Sequence, residues 1–431
     1  MDFCVGVGIE AILREIKAAA TNPSAGNLLT SPSSLHFSLC IVACGATGRT
    51  SDQLLAALGY ESVQDLNSKA LSFMAALTTA DDDNNNSNKS ANLPTPPPTE
   101  FVNPSGMPYF YPSMFSGQPA QQPAGGREAT VMAGSAIWFD HESPLKPSFE
   151  RVIKDVYRAK YSYGDFRLQA LRIAEEINQW ADRATKGHIK DIIGPDNIRK
   201  ELVMILVNAI YFKGFWTQPF AKVMTQEEDF YLFDGTKIRT SFMRHPMSNH
   251  YYGSFDGFKV LKLPYENGTK KQQQQFTMYI FLPTTISLQE MLLRFCPYLG
   301  PMQNLELQQT MLEKVWIPKL KFTSLFNPCD IMKDLGLQLP FQRLGEFTEM
   351  VGHNSERICV NEVYQKAYIE VDEEGTEAAA VTVMSFGCPP PSPPPPPEEK
   401  FVADRPFMFM IQEEVSRAVL FLGAVLDPRQ Q

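Results

Sequence analysis

The chain has 431 residues, a formal net charge of −9 and 44% hydrophobic residues, which is ample material for a large buried core. The acidic balance argues against nucleic-acid binding, because no basic stripe is available to replace counterions along phosphates. The seven cysteines are scattered and suggest no disulfide framework, and no Cys or His spacing is typical of a metal site. We therefore expect neither a metal nor a cofactor.

The amino-terminal segment lacks the pattern of a secretory signal. Asp2 stands where such a signal carries basic residues, and Gly6, Gly8 and Glu10 interrupt the apolar run that follows. No apolar stretch approaches the ~20 residues needed to span a bilayer. We expect a monomer in the cytoplasm or nucleo-cytoplasm, without membrane association.

Helical signals concentrate in the first half of the chain. They combine apolar residues at helical spacing with caps, first-turn prolines and closing glycines. In chain order they are the stripe Ile9, Ile12, Leu13 and Ile16; the cap and proline Ser31-Pro32; a start at Thr50 with an end at Gly59; and the stripe Ile173, Ile177 and Trp180 closed by Gly187.

Residues 81–127 interrupt this pattern. They open with a run of Asp and Asn and continue through nine prolines with few periodic apolar residues. Such a composition cannot bury enough surface to offset the entropy lost on ordering. We expect a disordered insertion at 81–127; a tolerated surface loop and an incorrect gene model are both compatible with it.

Strand signals dominate the rest of the chain. Helices early and strands late favour an α+β protein with large sheets. The predicted strands are Val131–Phe139, Leu202–Phe212, Phe276–Leu282, Val315–Phe322, Tyr368–Val371, Phe407–Ile411 and Val419–Leu422.

Several separated segments, in the same order, resemble the serpin family in its plant-type form. These are Asn27–Ser34, Asn208–Trp216, Val371–Ala380, Phe401–Phe407 and Phe421–Gly423. The resemblance implies a single serpin domain over 1–431, with a large central β-sheet, additional sheets and eight to nine helices. It also implies an exposed hinge and reactive-centre loop at 373–400.

The same resemblance implies a protease inhibitor and not an enzyme. In this family a protease cuts the exposed loop, which then enters the main sheet as a new strand while the protease is still attached. The partner is therefore a target protease, and family analogy also admits an extracellular location. No nucleophile elbow, phosphate loop or metal spacing accompanies the six dispersed histidines, so no catalytic residue is predicted.

The hinge has the composition that strand insertion requires. Alternate residues of a strand share one face, and those facing the core from Thr376 to Thr382 are all small. No proline lies between Thr376 and Cys388, so every backbone N–H could join a ladder. An alanine-rich helix end or a tolerant linker is the alternative interpretation. The hinge residues are Glu373, Glu374, Gly375, Thr376, Glu377, Ala378, Ala379, Ala380, Val381 and Thr382.

The resemblance also implies two polar clusters that control sheet opening. The shutter beneath the sheet would contain Ser31, Ser33, Asn208 and Gln365, with Gln365 where the family usually has histidine. The breach, where the loop enters, would contain Trp216, Lys319 and Glu373. The simpler interpretations are a helix cap for Ser31 and an ordinary surface salt bridge for Lys319 and Glu373.

The position of the scissile bond stays open. The family's usual interval from Gly375 gives Pro389–Pro390, a poor substrate for most proteases because of its rigid ring and missing N–H. Gly387–Cys388, preceded by Phe386, would suit a papain-like cysteine protease, and Phe386–Gly387 a chymotrypsin-like serine protease. No Lys or Arg lies between Tyr368 and Lys400, so we expect no inhibition of Arg/Lys-specific proteases.

Two other functions fit the sequence. A non-inhibitory serpin would keep the fold but lack productive bait, which the prolines and Gln365 favour. A binding module would use the proline-rich loop, because residues 389–397 contain eight prolines and polyproline II segments bind aromatic-lined grooves. The partner would then be a polyproline-binding protein of the SH3, WW or profilin type.

Overall fold

The computed structural model describes residues 2–19, 26–77, 129–267, 275–295, 306–376 and 399–430. The insertion predicted at 81–127 and the loop residues 377–398 lie outside these ranges. The described part contains eight α-helices, in keeping with the number expected. They are α1 (Asp2–Ala19), α2 (Pro32–Gly45), α3 (Gly48–Leu58), α4 (Val63–Leu77), α5 (Pro147–Arg151), α6 (Ala170–Ala184), α7 (Leu288–Phe295) and α8 (Cys329–Asp334).

Seventeen strands of the described chain form three sheets. They are β1 (Leu28–Thr30), β2 (Thr130–Asp140), β3 (Lys160–Gly164), β4 (Met204–Phe215), β5 (Gln226–Tyr231), β6 (Lys237–His245), β7 (Ser248–Phe255), β8 (Phe258–Pro264), β9 (Phe276–Pro283), β10 (Gln308–Leu312), β11 (Lys314–Pro318), β12 (Leu320–Phe326), β13 (Glu362–Val371), β14 (Gly375–Thr376), β15 (Lys400–Val402), β16 (Phe407–Glu413) and β17 (Val419–Val425).

The central sheet has the order β12-β13-β4-β2-β3, with β14 beside β4. A seven-stranded sheet has the order β1-β17-β16-β9-β8-β7-β10, and a four-stranded sheet the order β15-β11-β6-β5. Helices and sheets in this arrangement confirm the α+β class and the large central sheet with additional sheets.

Strand β4 is buried on both faces, which explains its almost continuous apolar sequence. Leu206 and Ile210 point into the main core, whereas Ile205, Val207 and Ala209 belong to a second core beneath α6. The alternation of side chains along a strand makes both sets available from one segment. Asn208, a polar residue of β4, is therefore enclosed by protein on either side.

Helix α6 covers the central sheet through the apolar stripe predicted from the sequence. Ile173, Ile177 and Trp180 are buried, and the Trp180 ring meets Trp138 edge-on with a centroid distance of 5.9 Å. Gly134 of β2 makes room for Trp180, because a Cβ there would lie 2.9 Å from the indole. The helix thus packs across β2 and leaves the segment after Ala184 to reach β4 and β13.

One predicted strand is wrong. The run Val315–Phe322 forms two strands in different sheets, since β11 ends at Pro318 in the four-stranded sheet and β12 starts at Leu320 in the central sheet. Proline has no N–H with which to continue the ladder, and the chain changes sheet at Lys319. Lys319 therefore lies at a junction between the two sheets.

The described ranges contain no helix that is long and apolar enough to cross a membrane. They also contain no cluster of three or more His, Cys, Asp or Glu side chains arranged to hold a metal ion.

Candidate functional site: the seam and the hinge

The boundary between β4 and β13, which we call the seam, is parallel and closes over only part of its length. Paired residues run from Ile205–Glu362 to Tyr211–Tyr368. Beyond that point β4 continues, but its residues Gly214 and Phe215 pair antiparallel with β14. A return strand therefore already occupies the far end of the seam.

The chain reaches this position through a tight reversal after β13. Asp372 N donates to Gly375 O at 2.8 Å, and the two residues form an antiparallel bridge. Gly375 has φ +147°, and a Cβ on it would lie 2.0 Å from the carbonyl oxygen of Gly214. Only glycine fits this close approach of two backbones.

Glu373 is anchored within the reversal. Its carboxylate receives the Thr225 hydroxyl at 2.6 Å and lies 3.0 Å from Lys319 Nζ, while the residue is 4% exposed. Burial, the largest single influence, acts to raise the pKa of Glu373. The hydrogen bond from Thr225 and the ammonium of Lys319 outweigh it and lower the pKa below its usual value.

Trp216 and Lys222 hold the residues on either side. Trp216 Nε1 donates to Asp372 O at 2.9 Å, and the Trp216 backbone N donates to Glu374 O at 2.8 Å. The indole stacks on Tyr265 with centroids 4.4 Å apart. Lys222 Nζ lies 2.8 Å from the buried carboxylate of Glu374, and this ion pair raises the pKa of Lys222. The hinge is thus fixed by side chains from the β4–β5 segment.

A polar network beneath the middle of the seam centres on Gln365. Gln365 Oε1 accepts from the Thr30 hydroxyl and from the Ser31 backbone N, each at 2.7 Å, and Nε2 donates to Ser31 O at 2.8 Å. The side chain is 1% exposed, so these three bonds satisfy it without water. Ser31 also caps α2, because its hydroxyl accepts from Ser34 N.

Asn208 lies directly opposite Gln365 across the seam. Its Oδ1 accepts from the hydroxyls of Ser38 at 2.8 Å and Ser135 at 2.9 Å. Its buried Nδ2 has no hydrogen-bond partner among the described residues. A buried donor without an acceptor reduces the stability of the fold, so an acceptor brought to this amide would be stabilising. Ser33 binds elsewhere, donating to Val419 O at 2.5 Å.

Three aromatic rings cover the last pair of the seam. His188, in the segment after α6, stacks on Tyr211 with centroids 4.0 Å apart and an interplanar angle of 7°. The same ring lies 5.5 Å from that of Tyr368. Lys366 of β13 donates to the carbonyl of Asp191 in this segment. The segment is therefore attached to both sides of the seam.

The structure gathers the candidate residues into two places. Trp216, Lys319 and Glu373 lie together at the reversal, and Gln365, Asn208 and Ser31 lie at the middle of the seam. Glu377, Ala378, Ala379, Ala380, Val381, Thr382, Gly387, Cys388, Pro389 and Pro390 fall outside the described residues.

Several partners were missed from the sequence. They are Thr30, Ser38, Ser135, Lys222 and Thr225. These residues lie far along the chain from the residues they bind, so no local motif indicates them. Only Ser38 has a local signal, because it lies one helical turn after Ser34 on the same face of α2.

Comparison with known proteins agrees with this architecture. The family model for serpins (serine protease inhibitors) matches residues 12–428. Serpin-ZX of Arabidopsis thaliana is 33% identical over 406 residues, covering 93% of this chain and 92% of its own. Serpin-Z1C of Triticum aestivum is 34% identical over 423 residues, covering 96% and 94%.

Solved structures show the same fold. Arabidopsis AtSerpin1 in its native stressed conformation superposes with a TM-score of 0.76 at 30% identity, covering 99% of this chain and 98% of that one. Thyroxine-binding globulin in complex with thyroxine has a TM-score of 0.72 at 20% identity, with 99% of each chain covered. With a seam that already holds a return strand at one end, and with relatives matched over nearly its whole length, this chain belongs to the serpin family.

Proposed function

We propose that the chain inhibits a protease as a suicide substrate, by inserting its cleaved loop into the seam. Serpins are protease inhibitors and generally not enzymes, which is the background for this proposal. The observation that carries it is the pairing of Gly375 and Thr376 with Phe215 and Gly214, antiparallel to β4. A loop that continues in this direction would enter the seam from its open end.

The two registers that flank the seam allow the inserted strand to be traced. Continuing the β14–β4 pairing places Ala378 opposite Phe212, Ala380 opposite Ile210 and Thr382 opposite Asn208. Continuing the Asp372–Gly375 bridge along β13 places the same three residues opposite Ile369, Ala367 and Gln365.

These partners agree with the existing parallel register, in which Ile210 pairs with Ala367 and Asn208 with Gln365. One strand can therefore satisfy both edges at once. Phe212, Ile210, Ala367 and Ile369 all belong to the main core. Small side chains on this face of the new strand would add little volume to that close-packed core.

Thr382 would arrive at the buried Asn208 amide. Its hydroxyl could accept from Asn208 Nδ2, the donor that lacks a partner in the described structure. The uncleaved protein thus contains an unsatisfied group that the inserted state can satisfy. This relationship supports storage of free energy in the uncleaved form.

The energetic gain of insertion is large. The last existing pair, Ile205–Glu362, would accommodate residue 385 of the loop, so about ten residues could join two edges. New hydrogen bonds at about 0.5–1.5 kcal/mol each amount to on the order of 10 kcal/mol. That equals a typical domain's total stability of about 5–15 kcal/mol.

Cleavage and melting test the proposal. Nicking the loop with papain or chymotrypsin should raise the melting temperature by tens of degrees, and a reactive protease should form a detergent-resistant complex. Ala380→Pro should abolish both, because proline removes a ladder donor. Ser392→Pro, beyond the seam, is the matched control and should change neither. An unchanged melting temperature after nicking would contradict the proposal.

The bait sequence favours two protease classes. Phe386–Gly387 offers an aromatic residue to a chymotrypsin-like serine protease, and Gly387–Cys388 offers Phe386 before the cut pair to a papain-like cysteine protease. Pro389–Pro390, given by the family interval, is the third candidate bond. Arg/Lys-specific proteases find no basic residue from Tyr368 to Glu399.

A non-inhibitory serpin is the second candidate, favoured by the prolines at the family's scissile position. Thyroxine-binding globulin, which was solved in complex with thyroxine, shares the fold. Cleavage that raises stability without any covalent protease complex would favour this function.

A further inference from the structure

A cavity of about 300 Å³ lies at the opposite end of β4 from the hinge. Leu202 and Val203, the residues immediately before β4, line it together with charged side chains. Four of these are cationic and two are acidic. The cationic residues are Arg167, Lys200, Arg343 and Arg357, and the acidic residues are Asp140 and Glu201.

The four cationic side chains that line the cavity differ in how they are paired. Arg357 and Arg167 share one carboxylate, that of Glu142, at 2.5 and 3.7 Å. Arg343 Nη2 donates to the backbone carbonyl of Glu201 at 3.0 Å. Neither Arg343 nor Lys200 has an ion pair within the described residues. Two cationic side chains without an ion pair at one cavity can attract an anionic ligand.

We propose that this cavity binds a small phosphorylated polyol, such as a sugar phosphate. A guanidinium group can bind two phosphate oxygens at once through parallel hydrogen bonds, and the Lys200 ammonium adds a further positive charge. Asp140 and Glu201 would repel a bare phosphate dianion but accept hydrogen bonds from hydroxyl groups. The cavity volume is at the lower end of the range for ligand sites, about 300–1,000 Å³, which suits a single sugar ring.

The lining residues come from segments that lead into both sides of the seam. Residues 200–203 run into β4, whereas Arg343 and Arg357 precede β13. A ligand held by both groups would join the bases of the two strands. It would thereby oppose their separation, a consequence that rests on the proposed function.

Melting of the uncleaved full-length protein tests the site without any protease. Glucose 6-phosphate should raise the melting temperature saturably, by about 1–2 °C at tenfold excess over its Kd. At matched ionic strength inorganic phosphate should produce a smaller shift and glucose none. The double variant Lys200→Gln/Arg343→Gln should lose the shift. Lys190→Gln/Arg405→Gln, which removes equal charge elsewhere, should retain it.

Three results would overturn the site: no shift with glucose 6-phosphate, an equal shift in the Lys200/Arg343 double variant, or an equal shift with phosphate alone. The rate at which nicked protein gains stability provides a second readout, and glucose 6-phosphate should slow it several-fold. A ligand-induced shift in a protein that never gains stability after nicking would support the site and contradict the proposed function.

Discussion

Lys319 and Glu373 form an ion pair of 3.0 Å that joins the junction of two sheets to the hinge. Lys319 separates β11 from β12, and Glu373 lies in the reversal between β13 and β14. The carboxylate is enclosed and also receives Thr225, while the ammonium is partly open to solvent. The pair therefore holds the hinge to a rigid part of the fold.

The stability of the hinge should depend on acid. The folded-state pKa of Glu373 is depressed, so its contribution is present above the unfolded value of about 4.3 and is lost as pH falls through the folded value. Burial raises the pKa of the neighbouring Asp372, which acts in the opposite direction. We expect Lys319→Met to lower the melting temperature at pH 7. The melting temperature of this variant should then fall less than that of the parent protein between about pH 5 and pH 3.

Lys321→Met is the control for this measurement. Lys321 lies in β12, two residues after Lys319, and pairs with Glu370, but its side chain is 57% exposed. Exposed pairs contribute little, about 0–1 kcal/mol. Equal effects of the two variants on the pH dependence would remove the special role of Glu373.

Gly375→Ala should destabilise the uncleaved protein strongly. The new Cβ would meet the Gly214 carbonyl oxygen at 2.0 Å, so backbone must move. Gly235→Ala places a Cβ at φ +80° with nothing within 4 Å and isolates the cost of backbone conformation, about 1–2 kcal/mol. In urea unfolding, Gly375→Ala should lower the unfolding free energy more than Gly235→Ala does. A smaller loss for Gly375→Ala would show that β14 does not hold this position in solution.

Gln365→Ala should cost about 2–5 kcal/mol in unfolding free energy. It leaves the Thr30 hydroxyl and the Ser31 backbone N buried without partners, whereas the Ser31 carbonyl keeps its bond from Leu35 N. Gln365→His should restore part of this loss, since an imidazole offers one donor and one acceptor. Gln338→Ala, an exposed substitution of the same type, should lie within about 0.5 kcal/mol of the parent.

Thr382→Val should affect the cleaved protein more than the uncleaved one. Valine has nearly the same shape but cannot accept from Asn208 Nδ2 in the inserted state. The melting temperature after nicking should fall by several degrees, and Thr382→Ser should restore it. Equal melting temperatures of nicked Thr382→Val and nicked parent protein would place Thr382 away from Asn208.

Protease selectivity should follow the bait. Incubation with trypsin should yield no detergent-resistant complex at the loop, because no basic residue is present from Tyr368 to Glu399. Phe386→Arg should create a trypsin complex or, at least, trypsin cleavage at that bond. Phe386→Leu, which keeps an apolar side chain, should not. A trypsin complex formed by the parent chain at its loop would contradict the assignment.

Much of the fold was predictable because its signals are local. The stripe Ile173, Ile177 and Trp180 predicted α6, and Gly59 ends α3 in the left-handed conformation. The run Val315–Phe322 misled because both of its halves are apolar strands, and only pairing partners reveal the change of sheet.

The site was partly predictable for a different reason. The motifs around Trp216 and Glu373 lie within segments that resemble the serpin family, whereas Thr225 and Lys222 are ordinary polar residues in a short connection. Their roles depend on where the chain brings them and not on any sequence pattern. The partnerless amide of Asn208 likewise exists only in three dimensions.

His188, which stacks on Tyr211 and lies tilted against Tyr368, can report the separation of the two strands that carry these tyrosines. The imidazole contacts rings from two neighbouring strands, so a strand inserted between them would remove at least one of these ring contacts. Ring currents shift the resonances of protons held above aromatic faces. Nuclear magnetic resonance of this single histidine would consequently follow the parting of the strands in solution without any attached label.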